Sequence, residues 1–177
     1  MPLFFAYGSN MDNDAMARRC PVSRTIGRAR LMGFRFIVST DGYATVIRDP
    51  SASVWGIVWD LALADVPPLD RYEGLSTGLY SKIVQSVLTE QGARRTLVYI
   101  GRSTRPGVPK PGYAERMVEA ATTAGLPADY LRELRAWVPK TAGISRDHNA
   151  APPKAHVPAV RPLWRDPTST RYRPSEH

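Results

Sequence analysis

The chain has 177 residues, of which 43% are hydrophobic and 23% charged, so it is long enough for one globular domain with a proper core. No apolar run approaches the roughly 18–20 residues that cross a bilayer, and the N-terminal segment lacks the basic region of a secretory signal. Cys20 is the only cysteine, which excludes an internal disulfide and an all-cysteine metal cluster. These features favour a cytoplasmic protein.

The positive charge of the chain raises the question of nucleic-acid binding. Lysine and arginine number 24 against 16 acidic residues, giving a formal net charge of +8, and a basic surface attracts phosphate. The arginines are scattered, however, and their densest clusters are pairs such as Arg18-Arg19 and Arg94-Arg95. No RNA-binding or helix-turn-helix signature accompanies them. We therefore expect neither nucleic acid nor a membrane as a partner.

Runs rich in β-branched and aromatic residues, separated by turn residues, predict strands, and later apolar periodicity predicts helices. In chain order the pattern predicts a strand at Leu3–Tyr7, a short helix at Asp14–Arg19, strands at Ile26–Leu31, Phe34–Ser39, Ala44–Ile47 and Val54–Leu61, a short helix at Pro67–Tyr72, strands at Ser81–Leu88 and Arg94–Ile100, and helices at Tyr113–Ala124 and Ala128–Trp137. Residues 54–59 are almost continuously apolar, which is typical of a strand buried on both faces.

The order of these elements indicates the fold class. A long run of strands followed by terminal helices predicts an α+β fold rather than alternating βαβ units, and a closed or nearly closed sheet would avoid exposed edges. Asn10 or Asp12 can cap the first helix. Prolines occupy the first turn of the helix at 67–72, Gly125 ends the next helix, and Pro127 introduces the last one.

The C-terminal segment differs from the rest of the chain. From Thr141 the sequence becomes irregular and rich in proline, which blocks helices and strand ladders. We therefore divide the chain into a domain over residues 1–140 and a Pro-rich, basic tail over residues 141–177. The tail is either disordered or docked in an extended form, and Trp164 and Tyr172 argue for some docking. Trp164 could anchor the tail as a lid.

The distribution of histidine excludes several common chemistries. His148, His156 and His177 all lie in the tail, so residues 1–140 contain no imidazole for a Ser-His-Asp or Cys-His arrangement or for a zinc site. Phosphate-binding and dinucleotide-binding glycine motifs are also absent from the sequence. We expect no metal and no cofactor, and a carboxylate, tyrosine or lysine as the proton-transfer group.

Two segments are candidates for a site. In the first, Tyr7, Gly8, Ser9 and Asn10 follow an apolar strand, and the glycine allows a tight turn whose amides could converge on an anion. The alternative is an ordinary strand-to-helix turn with Asn10 as a cap. In the second, Glu73 follows a short amphipathic stretch and precedes a glycine, which could hold its carboxylate at the lip of a cavity. The alternative there is a surface glutamate at a helix end.

Taken together, these residues resemble the γ-glutamylcyclotransferase, or AIG2-like, family over roughly residues 2–140. The ordered set comprises Tyr7-Gly8-Ser9-Asn10, Val54-Trp55-Gly56-Ile57-Val58-Trp59, Leu69-Asp70-Arg71-Tyr72-Glu73-Gly74, Tyr80, Pro111-Gly112-Tyr113, and Gly125-Leu126-Pro127 with Tyr130. The resemblance implies a small mixed β-barrel with flanking helices. It also implies an enzyme, a cyclising acyltransferase or lyase, that releases 5-oxoproline from a γ-glutamyl compound by intramolecular aminolysis.

The resemblance also implies roles for single residues. Glu73 would be the catalytic acid and base, with a pKa lifted toward neutrality by burial. The loop from Tyr7 to Asn10 would bind the α-carboxylate or the oxyanion through backbone N–H groups, and Tyr80 and Tyr113 would donate hydroxyls to the polar end of the substrate.

The sequence leaves the substrate open among γ-glutamyl amino acids, glutathione, γ-glutamyl-ε-lysine and a γ-glutamyl group that protects a biosynthetic intermediate. Ser9-Asn10 resembles the γ-glutamyl-amino-acid branch more than the glutathione-specific one. A different class of function, a non-catalytic binding module, is disfavoured because Glu73 is present. The oligomeric state is left as monomer or homodimer.

Overall fold

A computed structural model describes residues 1–140 of the chain. The hypotheses about the tail from residue 141, docked or disordered and with or without a role as a lid, lie outside the described residues and stay hypotheses. The division of the chain into a domain and a tail at residue 141 also stays a hypothesis.

Five strands form a closed barrel. They are β1 (Leu3–Ala6), β2 (Arg24–Val38), β3 (Ala44–Asp60), β4 (Tyr80–Thr89) and β5 (Gly92–Gly101). Their order around the barrel is β1-β3-β2-β4-β5. β1 pairs in parallel with β5, with Phe4 opposite Leu97, and the other pairings are antiparallel. This mixed barrel confirms the predicted fold class.

The number of strands was predicted wrongly. The runs 26–31 and 34–39 are one strand, β2, and the runs 44–47 and 54–61 belong to one strand, β3. Gly33 and Pro50, which look like turn residues in the sequence, lie in an irregular part of the β2–β3 ladder where Met32 faces Ser53 and Phe34 faces Arg48. This break in the register accommodates both, because the φ of 76° at Gly33 and the missing N–H of Pro50 fall where the regular pairing is interrupted.

Four helices flank the barrel: α1 (Asn13–Arg19), α2 (Val66–Tyr72), α3 (Tyr113–Thr123) and α4 (Ala128–Arg135). All four were predicted, although α4 ends two residues before Trp137. Asp12 rather than Asn10 caps α1, because its Oδ1 accepts a hydrogen bond of 3.0 Å from the Ala15 N–H. None of these helices, within residues 1–140, is long and apolar enough to cross a membrane.

The middle of β3 is buried on both faces, as its composition predicted. Side chains alternate across a strand, and here Val54 and Val58 on one face and Ile57 and Trp59 on the other are at most 5% exposed. Gly56 lies between them, where a Cβ would come within 2.2 Å of the Ala6 carbonyl oxygen. Glycine therefore lets β1 run close beside β3, and the segment that follows β1 begins at this point of the barrel.

Candidate active site

A pocket opens where β1 ends. Its walls contain every site residue that the sequence predicted, together with several apolar and aromatic neighbours. They are Phe4, Phe5, Ala6, Tyr7, Gly8, Ser9, Asn10, Ala44, Glu73, Tyr80, Tyr99 and Tyr113. Residues from the N-terminal loop, from the end of α2, from β4 and from the start of α3 thus meet at one place.

The loop after β1 forms a short turn beside this pocket. The Met11 N–H donates a hydrogen bond of 3.0 Å to the Gly8 carbonyl, which closes a single 3₁₀ turn over Ser9–Met11. A Cβ on Gly8 would lie 3.1 Å from both the Ala44 Cβ and the Tyr113 hydroxyl, so the loop packs closely because this residue has no side chain. Within residues 1–140 the Gly8 and Asn10 backbone N–H groups donate no hydrogen bond. Both stay available to an acceptor.

Asn10 is the most constrained residue of the loop. It is 4% exposed, and its carbonyl oxygen accepts a hydrogen bond of 3.1 Å from the Trp59 indole N–H. Its side-chain amide bonds at both ends: Nδ2 donates to Glu73 Oε1 at 2.6 Å, and Oδ1 accepts from Arg19 Nη1 at 2.5 Å. Asn10 therefore connects the helix α1 with the carboxyl of Glu73 and does not act as a helix cap.

Glu73 is held at the C-terminal end of α2. Its backbone N–H donates to the Leu69 carbonyl at 2.9 Å, and the next residue, Gly74, adopts the left-handed φ of 66° that ends many helices. The residue is 9% exposed and its carboxyl faces the pocket. This burial excludes the alternative of a surface glutamate.

Burial also changes the proton affinity of Glu73. Loss of solvation disfavours the charged form and raises the pKa of Glu73 from 4.5 to about 7. The Arg19 guanidinium and the Asn10 hydrogen bond act in the opposite direction, and the nearby Asp70 carboxylate adds to the rise. A carboxyl with this pKa can both accept and release a proton near neutral pH.

Three tyrosines of the pocket make different hydrogen bonds. The Tyr7 hydroxyl donates to the Tyr99 carbonyl at 2.5 Å and the Tyr80 hydroxyl to the Ala44 carbonyl at 2.6 Å. The Tyr113 hydroxyl instead accepts from the Ala44 N–H at 3.2 Å, which leaves its own proton for another partner. Burial raises the pKa of all three, so they stay neutral at physiological pH.

Several residues of the site were not predicted from the sequence. Tyr99, Ala44 and Arg19 come from β5, β3 and α1, and no local motif marks them. Arg19 was named only as part of a basic pair, although its guanidinium lies 3.6 Å from the centre of the Tyr72 ring and bonds to Asn10.

No cluster of three or more histidine, cysteine, aspartate or glutamate side chains within residues 1–140 could hold a metal ion. Cys20 is buried and lies near the Asp65 carbonyl, and burial raises the pKa of its thiol to about 11. The expectation of a site without metal or cofactor stays a prediction.

Comparison with known proteins adds the following findings. The model of a family described as AIG2-like matches residues 53–134. The gamma-glutamylcyclotransferases of Homo sapiens and Bos taurus are each 30% identical over 148 residues, and each match covers 77% of this chain and 79% of the relative. A solved structure of a gamma-glutamyl cyclotransferase superposes with a TM-score of 0.74 at 28% identity, covering 83% of this chain and 94% of that one.

Proposed function

The chain belongs to the γ-glutamylcyclotransferase family of enzymes, and from this premise we propose a specific reaction and mechanism for it. The reaction is intramolecular aminolysis of a γ-glutamyl amide, which yields 5-oxoproline and the free amine. Glu73 is the general acid and base. The preferred substrates are γ-glutamyl amino acids.

The reaction needs no water and no second substrate. The α-amine of the γ-glutamyl group attacks its own γ-carbonyl carbon, a five-membered ring closes, and the bond to the leaving nitrogen breaks. The enzyme must fold the substrate back, remove one proton from the attacking amine, stabilise the tetrahedral oxyanion and return a proton to the leaving nitrogen. The pocket has to supply a proton carrier and hydrogen-bond donors.

The observation that carries the proposal is the buried carboxyl of Glu73 on the wall of the pocket beside the Gly8–Asn10 turn. Both proton transfers can be made by one group if its pKa lies near the working pH, and burial raises the pKa of Glu73 to about 7. A carboxylate with an ordinary pKa would be too weak a base to take the proton from the attacking amine.

The hydrogen-bond donors of the pocket suit the tasks other than proton transfer, which are binding of the substrate and stabilisation of the oxyanion. The Gly8 and Asn10 N–H groups and the proton of Tyr113 are not used by the described part of the protein. We assign them to the α-carboxylate or the developing oxyanion of the substrate. Tyr80 already donates to Ala44, so it would offer lone pairs to the substrate amine, and Tyr7 contributes its ring to the wall.

The experiment that tests this proposal measures 5-oxoproline release from a panel of γ-glutamyl dipeptides, glutathione and γ-glutamyl-ε-lysine. We expect the dipeptides to have the highest kcat/KM. Glu73→Gln keeps the size of the side chain but removes the base, so it should lower turnover at least about a hundredfold.

Glu119→Gln is the matched control, because Glu119 lies exposed on α3 away from the pocket. It should leave turnover unchanged. Near-normal turnover of Glu73→Gln would remove Glu73 from the mechanism, and substrate binding without 5-oxoproline from any member of the panel would favour a binding module. A preference for glutathione or γ-glutamyl-ε-lysine would replace the proposed substrate class.

Three further expectations belong to this proposal. The single cysteine agrees with a cytoplasmic location, and the carboxylate mechanism needs no cofactor. Turnover should therefore survive dialysis against a strong chelator. The scattered arginines argue against nucleic acid as a partner, and a titration at low salt should detect no binding of duplex DNA.

A further inference from the structure

We propose that Arg19 is a positioning residue of this active site: it fixes the orientation of the Asn10 amide, so that a hydrogen-bond donor and not an acceptor faces the Glu73 carboxyl. The inference rests on the role of Glu73 in the proposed function. It assigns Arg19 no contact with the substrate.

The guanidinium of Arg19 is held in place by two contacts. Arg19 is the last residue of α1, and its Cζ lies 3.6 Å from the centre of the Tyr72 ring. Tyr72 is the last residue of α2 and directly precedes Glu73. From this stacked position Nη1 donates to Asn10 Oδ1 at 2.5 Å. Arg19 therefore joins α1, the loop and the end of α2.

The chemistry of the two side chains determines which way the amide faces. An arginine side chain has only donors, whereas an asparagine amide has an acceptor at one end and donors at the other. Arg19 therefore selects the Oδ1 end of Asn10, which turns Nδ2 toward Glu73 at 2.6 Å. The backbone of Asn10 is itself fixed by the Trp59 indole, so the amide can change its partners only by turning over.

The orientation matters for the proton on Glu73. A donor on the carboxyl favours its ionised form, whereas an acceptor would favour the protonated form. The positive charge of Arg19 also favours ionisation, and both influences lower the pKa of Glu73 against the larger effect of burial. Without Arg19 the charge is lost and the Asn10 amide is free to present its oxygen. Both changes should raise the proton affinity of Glu73.

The other ionisable groups around Glu73 do not replace Arg19. Asp70 of the same helix raises the pKa of Glu73 and is itself paired with Lys82 of β4 at 2.8 Å. The remaining groups near the carboxyl have pKa values raised by burial, so they are neutral in the working range: Tyr7 after β1, Tyr80 of β4, Tyr99 of β5, Tyr113 of α3 and Cys20 after α1.

The test compares pH profiles of kcat/KM for the full chain and its variants. Arg19→Met keeps the length but removes charge and donors, so the acidic limb should move up by about one pH unit, with about a tenfold loss at pH 6 and a much smaller loss at pH 9. Arg19→Lys keeps a charged donor and should retain the original limb. Arg18→Met, which removes an exposed arginine from the same helix, should leave the profile unchanged.

A second pair of variants changes Tyr72, the residue on which the Arg19 guanidinium stacks. Tyr72 is 47% exposed, so Tyr72→Leu should fold while removing the surface on which the guanidinium stacks. It should shift the acidic limb in the same direction by a smaller amount, whereas Tyr72→Phe, which keeps the ring, should not. Thermal unfolding of each variant verifies that it is folded.

The Glu73 titration itself, followed by carbon-13 NMR in the protein without substrate, separates the two ideas. A higher midpoint in Arg19→Met than in the wild type supports the role of Arg19 whatever the enzyme turns over. An unchanged midpoint and an unchanged acidic limb, or an equal loss of activity at all pH values, would overturn it. Normal turnover of Glu73→Gln would instead defeat the proposed function.

Discussion

Two carboxyl groups at the C-terminal end of α2, Asp70 within the helix and Glu73 directly after it, have opposite surroundings. The Asp70 side chain is 27% exposed, and both its oxygens lie 2.8 Å from Lys82 Nζ, while Oδ1 also accepts from the Tyr99 hydroxyl at 2.5 Å. Glu73 is 9% exposed and bonds to the neutral Asn10 amide. Asp70 is thus a paired group that docks α2 on β4 and β5, whereas Glu73 is left buried beside a neutral donor.

This comparison shows how a short helix can stabilise the fold and still carry a reactive group. The Asp70 cluster and the Leu69 side chain, which is fully buried, attach the helix to the barrel. The helix then ends at Gly74, so the last side chain before the turn points into the pocket. Two carboxyls commonly acquire different roles because their environments differ in this manner.

The largest expected effect is a change in the free energy of unfolding when the buried carboxyl of Glu73 is replaced. Because burial raises the folded-state pKa of Glu73 from 4.5 to about 7, its contribution to stability is fully present below the unfolded value and is lost as the pH rises through 7. Glu73→Gln should therefore exceed the wild type in free energy of unfolding by up to about 3 kcal/mol at pH 8 and by little near pH 4.5. Urea unfolding at several pH values measures this difference. A constant difference would contradict a raised pKa.

The next effect concerns the position of the reactive carboxyl. Glu73→Asp withdraws it by one methylene and breaks its 2.6 Å contact with Asn10. Turnover should fall about a hundredfold, since displacement of a reactive group by about 1 Å can have this effect. Asp70→Glu, which changes the other carboxyl by the same amount, should alter turnover less than about fivefold. Equal losses in the two variants would mean that the helix position, not the Glu73 carboxyl, controls the rate.

A smaller effect is expected from the tyrosines near Glu73. Tyr80→Phe removes a partly buried hydroxyl that bonds to Ala44 at 2.6 Å and that we place on the substrate. KM should rise about tenfold, in line with the loss of one hydrogen bond in a dry site. Tyr72→Phe is the control, because its hydroxyl is exposed and meets only Ser9 at 3.2 Å among the described residues. Steady-state kinetics of both variants decide whether the Tyr80 hydroxyl binds substrate.

The smallest effect concerns Asp70. Asp70→Asn weakens the pair with Lys82 and the bond from Tyr99, both partly exposed to solvent. The free energy of unfolding should fall by about 1 kcal/mol, opposite in sign to the change for Glu73→Gln at pH 8. Thermal and urea unfolding measure it. A gain in stability would show that Asp70 does not dock the helix.

Much of the fold could be predicted from local sequence. The apolar run at 54–59, the prolines at the start of α2 and Gly125 after α3 each have a local physical cause, and each was found where expected. Asp12 is one of the two residues that were expected as the cap of α1. The number of strands could not be predicted in this way. Gly33 and Pro50 resemble turn residues, and only the pairing of β2 with β3 shows that they lie at a break in the register of one long ladder.

The site was predictable only in part for the same reason. Its loop and its acid are visible as short motifs, and the structure brings them together around one pocket. The contacts that adjust the pKa of Glu73 are made through Asn10. Asn10 bonds to Glu73, which follows it by 63 residues in the sequence, and to Arg19 at the end of α1. Hydrogen bonds of this kind depend on tertiary packing, so the periodicity of the sequence does not predict them.

The most direct test of the account is a pH titration of the Glu73 carboxyl carbon by NMR in the wild-type protein, with the signal assigned by its loss in Glu73→Gln. We expect a midpoint near 7. A midpoint near 4.5, the value of an exposed glutamate, would contradict it, because Glu73 could then not carry a proton between the two nitrogens at neutral pH.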